Sequence, residues 1–244
     1  MNYEASLDYA KGEDQVDILG HFRTRFLFPQ HNGKDVIYMC GNSLGLQPQS
    51  VGYLMQQELK DWAQHGVEGH FRAAIPWFSY HHAFSERLGR LVGAGKDEVV
   101  ATNTLTVNLQ LLMISFYRPQ GKRYKIMMEA GAFPSDQYAV ETQVRMHGYE
   151  PDDAIIEIAP RAGAHIIEEA DIIKAIEEAG DSLALVMFGG VNYYTGQYFD
   201  MKSITGAAHK VGAYAGYDLA HAVGNIPLQL HDWDVDFACW CSYK

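Results

Sequence analysis

Positive charge is scarce in this chain. Its 19 Lys+Arg face 30 Asp+Glu, a formal charge of −11, and no long basic run interrupts the excess of acid. That balance argues against nucleic acid and anionic membrane surfaces as partners. Cysteine is sparser still, limited to Cys40, Cys239 and Cys241. An odd set with no C-x-x-C and no Cys/His cluster at zinc spacing reads as structural, reduced thiols without a metal. On a strand, Cys239 and Cys241 share one face and Trp240 takes the other. Long apolar runs are missing too, and the start, Met1-Asn2-Tyr3-Glu4-Ala5, is polar, so the expected location is the cytoplasm. No repeat, low-complexity tract or obvious linker is present, and 244 residues leave room for one large domain or two small ones.

What the chain does have is alternation. Residues 49–66 follow Pro48 and set Val51, Leu54, Met55, Leu59 and Trp62 on one helical face. Residues 77–93 repeat that spacing through Phe84, Leu88, Leu91 and Val92, with Gly93 as the C-terminal stop. Short β-like segments follow, each ahead of a helix: 98–101 before 105–116, 124–128 before 135–147, 154–158 before 168–178, and 182–188 before 201–211. A further segment, 213–217, precedes the final stretch. Strands alternating with helices predict an α/β fold, a largely parallel sheet with helices on both faces. Pro29, Asn32 and Gly33 break the pattern early, so residues 1–45 read as an arm or helix ahead of a large domain over 46–244.

The candidate chemistry collects at strand ends. Asp218 ends one apolar run, and Lys244 ends the next, closing the string Asp236-Phe237-Ala238-Cys239-Trp240-Cys241-Ser242-Tyr243-Lys244. Residues just past successive strands of an open α/β sheet gather at its carboxyl edge, where ligands bind. An acid and a lysine held there suit pyridoxal phosphate, which needs an amine for its aldehyde and an anion for its ring nitrogen. Asn103-Thr104-Leu105-Thr106 opens a helix, where it is either a phosphate site or a simple cap through Thr104 or Thr106. Phe133-Pro134-Ser135-Asp136 opens another. There Ser135 or Asp136 is either a cap or part of a site, and Phe133 either a core ring or a stacking surface for a planar cofactor. His221 follows Asp218 closely enough to serve the same ring.

Taken in order, these segments resemble the kynureninase family of fold-type I, aminotransferase-like pyridoxal-phosphate enzymes. The resemblance rests on Gly41-Asn42-Ser43-Leu44-Gly45-Leu46-Gln47-Pro48, Leu105-Thr106-Val107-Asn108-Leu109, Ala132-Phe133-Pro134-Ser135-Asp136, Gly190-Val191-Asn192-Tyr193-Tyr194-Thr195-Gly196-Gln197, and Asp218 through Lys244. It implies that Lys244 carries the cofactor as a Schiff base, that Asp218 pairs with the pyridine nitrogen, and that His221 supports the ring. It also implies that Phe133 stacks on the ring while Pro134, Ser135 and Asp136 complete that wall, and that Leu105, Thr106 and Tyr243 cradle the phosphate. Tyr243 is expected to donate a proton as well, and Ser43 and His70 to lie near the substrate. Gly189 stands where some relatives have a serine, and a glycine offers only its backbone there. The implied reaction is hydrolytic Cβ–Cγ cleavage of L-kynurenine, or of its 3-hydroxy analogue, to an anthranilate and L-alanine. The implied assembly is a homodimer.

Relatives of this kind continue past the lysine into a small C-terminal domain. The expectation is therefore a truncated copy of a longer enzyme, lacking a tryptophan, an asparagine and an arginine that would complete the site. The rival readings are another fold-type I enzyme, cysteine desulfurase-like or aminotransferase-like, and a non-catalytic fragment of one.

Overall fold

The computed structural model describes residues 3–244, so the first two positions of the arm expected over 1–45 lie outside the described residues. The chain forms two compact units, residues 3–80 with 243–244, and residues 81–242.

In the first unit, Ser6 accepts from the Tyr9 N–H and starts α1 (Leu7–Val16), which buries none of its residues. Two short antiparallel pairs follow: β1 (Phe26–Leu27) with β4 (Gln47–Pro48), and β2 (Gln30–His31) with β3 (Lys34–Asp35). The amphipathic stretch after Pro48 becomes α2 (Val51–His65), and a short α3 (Gly69–Arg72) succeeds it. Asp61 ties the two by accepting from Gln57 within α2 and from the Ala74 N–H just past α3, both at 3.0 Å. The apolar stripe of α2 is exposed, with Leu54, Met55, Leu59 and Trp62 each at least half accessible.

The second unit is the α/β layer structure. After α4 (His82–Val92) and α5 (Leu105–Phe116) come β5 (Lys125–Glu129), α6 (Pro134–Met146), α7 (Pro151–Ala154), β6 (Ile155–Ile158), α8 (Glu169–Ala179), β7 (Leu183–Gly189), α9 (Met201–Lys210), β8 (Tyr214–Asp218) and β9 (Phe237–Cys239). The strands form one parallel sheet in the order β6-β5-β7-β8-β9. The chain lays β6 on one side of β5, then returns to lay β7 on the other. That reversal makes the β5/β7 boundary a topological switch point, where such sheets open a crevice at their carboxyl ends.

Alternation along the strands feeds two cores. Met127, Val186, Phe188, Ala215 and Tyr217 face α8 and α9 through Ile172, Ile176, Met201 and Ile204. Ile126, Met128, Leu185, Met187 and Phe237 face α5 and α6 through Leu109, Met113, Val140 and Val144. The shared strand face expected for Cys239 and Cys241 fails because β9 stops at Cys239. Cys239 enters the second core and Trp240 packs against the first. All three cysteines are free. Among the described residues, no helix is long and apolar enough to cross a membrane.

Two predicted elements differ. Residues 98–101 form no strand, because Glu98 turns back to accept from the Gly95 N–H at 2.7 Å and from His231, while Val100 stays exposed. The helix predicted over 77–93 is broken into a 3-10 turn at Trp77–Ser79 and α4, whose C-cap Gly93 takes the left-handed conformation.

The Phe237 ring of β9 packs against Gly216 of β8, so a Cβ at Gly216 would overlap it. Gly206, exposed within α9, has nothing within 4 Å of such a Cβ. Gly216→Ala should therefore lower unfolding stability by about 1–3 kcal/mol through overpacking. Gly206→Ala should raise it by roughly 0.5–1 kcal/mol. Urea unfolding of each variant checks the opposite signs.

Candidate functional site

In the second unit the carboxyl ends of β5, β7 and β8 carry Glu129, Gly189 and Asp218. Gly189 pairs with Asp218 in the sheet register, and the next N–H, of Gly190, donates to the Asp218 carbonyl at 2.8 Å. Asp218 is buried, and its Oδ1 accepts from the Ala220 N–H at 2.7 Å. The Leu219 N–H donates to the Cys239 carbonyl at 2.8 Å, which joins the start of this turn to β9. His221 sits half-buried in the same turn, its carbonyl accepting from Asn225.

Asp136 reaches this place from α6. Phe133 occupies the N-cap position and Pro134 begins the helix, so Ser135 and Asp136 fall in the first turn rather than capping it. Ser135 Oγ donates to Asp136 Oδ1 at 3.3 Å. The Phe133 ring is partly exposed at 45%, with Tyr193 edge-on at 5.2 Å. Leu105 and Thr106 are the first two residues of α5. Thr104 stands at its N-cap but makes no side-chain cap bond, so the capping reading of that threonine does not hold. The strand expected just before it is also missing, and Asn103 instead makes a left-handed bend with φ 34°.

Three acids share this end of the sheet, and their electrostatics are those of a crowded pair and more. Burial pushes the Glu129 carboxyl up to about 7, aided by the charge on Asp218 and opposed by the Gly189 N–H. Burial likewise raises Asp136, reinforced by the charge of Asp218 and a hydrogen bond between the two carboxyls. Glu129 and Asp136 thus hold their protons more tightly than isolated acids do, and the cluster favours any cationic group that enters it. A pyridine nitrogen that must keep its proton fits that chemistry. Glu129 went unnoticed in the sequence, although it ends the apolar run Ile126-Met127-Met128 just as Asp218 ends its own.

The remaining sequence-predicted residues belong to the first unit. The Gly45 N–H donates to the Tyr243 carbonyl at 2.7 Å, and a Cβ on Gly45 would lie 3.1 Å from that oxygen. The glycine thus brings the Ser43 segment against Tyr243. Ser43 is exposed and its N–H donates to the Cys40 carbonyl at 2.9 Å. His70 is exposed, with its ring edge-on to Trp77 at 5.6 Å, and Trp77 in turn donates to Glu58 at 2.8 Å. Tyr243 is 57% exposed, and Lys244 closes this group half-buried. Among the described residues, no group of His, Cys, Asp or Glu could hold a metal ion.

Comparison with known proteins gives this arrangement a lineage. The chain is 57% identical over its whole length to a kynureninase of Christiangramia forsetii and 58% identical to one of Flavobacterium psychrophilum, covering 57% of each. The chain thus spans 57% of the length of these curated relatives. Among solved structures, a cysteine desulfurase from Escherichia coli matches 93% of this chain and 55% of its own at 16% identity, with a TM-score of 0.70, a likeness of fold alone. The family description Aminotransferase class-V fits residues 37–244, and the chain belongs to that pyridoxal-phosphate-dependent family.

Proposed function

We propose that the protein containing this chain is a kynureninase, hydrolysing the Cβ–Cγ bond of L-kynurenine or 3-hydroxy-L-kynurenine in tryptophan catabolism and NAD biosynthesis. One observation carries the reading: a buried acid cluster with Asp218 at its centre, in a chain 57–58% identical throughout to proteins named kynureninase. When bound, pyridoxal phosphate supplies an electron sink for charge at the substrate carbon.

The chain's own residues do the rest. Lys244 would hold the cofactor through its amine and, once free of it, would move the proton at the substrate Cα. Asp218 keeps the ring nitrogen protonated, with Asp136 beside it and His221 in the adjoining turn. Phe133 offers its exposed face to the ring, braced by Tyr193. The backbone N–H groups at the start of α5, with Leu105 and Thr106, bind the phosphate together with Tyr243. Gly189 contributes backbone only, and Ser43 and His70 serve the substrate. Tyr243 would protonate Cβ as water oxygen bonds the aryl carbonyl carbon and the Cβ–Cγ bond breaks, releasing the carboxylic acid of the anthranilate. The finer reading is a cytoplasmic homodimer.

Full-length protein supplied with pyridoxal phosphate and L-kynurenine should release fluorescent anthranilate and sediment as a dimer. Tyr243→Phe should keep the cofactor's visible absorbance while losing about 10²–10⁴-fold in turnover. Unchanged turnover would remove Tyr243 from this role, and no anthranilate from the parent protein would remove the function.

The raised acids also set a pH dependence. A carboxyl whose folded pKa lies above its unfolded value gives stability that is complete below the unfolded pKa and lost as pH rises through the folded one. Glu129 is raised from 4.5 to about 7, and Asp136 is raised as well. Cofactor-free protein should therefore lose on the order of 3 kcal/mol between pH 4.5 and 8 from Glu129. The cofactor's cation offsets part of that loss, so melting curves with and without pyridoxal phosphate should diverge as pH rises.

A further inference from the structure

The β5/β7 switch point holds one buried side chain that no role above uses. Glu129 is 4% exposed, and both its oxygens accept from the Gly189 N–H, at 3.1 and 3.2 Å. Gly189 is register partner to Asp218, and Gly190 N–H holds the Asp218 carbonyl. Glu129 is thereby linked through one peptide to the backbone of the acid assigned to the ring nitrogen. A Cβ on Gly189 would stand 3.0 Å from Glu129 Oε1, so the glycine leaves the carboxylate its room. The charged groups that face Glu129 are Asp218 at the end of β8 and Asp136 in the first turn of α6, and Cys239 of β9 adjoins those two aspartates. From β6, its partner in the sheet is the apolar Ile158.

A second acid this close to Asp218 is a burden to the empty site and an asset to a cationic one. We propose that Glu129 is a positioning residue for the cofactor ring, fixing the β7 end and adding a second negative charge behind Asp218 that keeps the ring nitrogen protonated. The inference rests on the pyridoxal-phosphate reading above. A cationic ring beside it would favour the charged form of Glu129.

The test uses full-length protein, its Glu129→Gln and Glu129→Ala variants, and pyridoxal phosphate as the probe. If the parent protein fails to bind pyridoxal phosphate, the functional reading falls, and this inference with it. If it binds, Glu129→Gln should bind about tenfold more weakly, and the pH midpoint of the bound cofactor's visible absorbance should fall by about one unit. Without cofactor, the same variant should melt no lower than the parent at pH 8, since it lacks the buried charge. Glu129→Ala should move affinity and midpoint in the same direction, which covers the case in which the glutamine variant does not fold. Parent-like affinity and midpoint in either folded variant would overturn the proposal. Loss of a folded cofactor-free protein in both would overturn it in favour of a structural role.

Discussion

Mutual repulsion among buried carboxyls is the constraint on which the site depends. Glu129, Asp136 and Asp218 come from three separate elements and meet where the sheet reverses its direction of growth. Each is held by hydrogen bonds from the chain: Gly189 N–H on Glu129, Ser135 Oγ on Asp136, Ala220 N–H on Asp218. Those bonds fix position without neutralising charge. A fold that buries acids in this way loses stability unless protons or a cation join them. The cationic heterocycle proposed for this site would answer that need.

The layers around the cluster serve to keep it in place. Two apolar cores clamp the sheet from opposite faces, and strands β7 and β8 contribute to both or are buried between them. Backbone bonds from Gly190 to Asp218 and from Leu219 to Cys239 lock the strand ends to one another. The acids therefore cannot relax apart by moving a loop, since each sits at the end of a strand or the start of a helix. Rigid elements are what hold a reactive constellation within the tolerance that catalysis requires.

Much of this was legible in the residues. The bounds of α5 and the run of parallel strands match the sequence pattern: the strands are continuous apolar runs buried between two cores, whereas α5 buries Leu109 and Met113 and leaves Val107, Leu111 and Ile114 exposed. Asp218 was visible as an acid at the end of an apolar run. Glu129 carries the same signal after Ile126-Met127-Met128, but its meaning needs the β5/β7 crossover, which no local pattern states. Residues 98–101 show the opposite failure. Val99 and Val100 look like a strand, yet side-chain bonds from Glu98 to Gly95 and His231 bend the segment before any pairing can form. The stripe on α2 reads correctly as amphipathic, but periodicity does not say what covers it.

The most direct measurement is covalent. Full-length protein is incubated with pyridoxal phosphate, treated with borohydride, digested, and its lysine peptides are weighed. The account predicts one pyridoxyl group, carried by Lys244. An unmodified Lys244 with label scattered over the other lysines would contradict it.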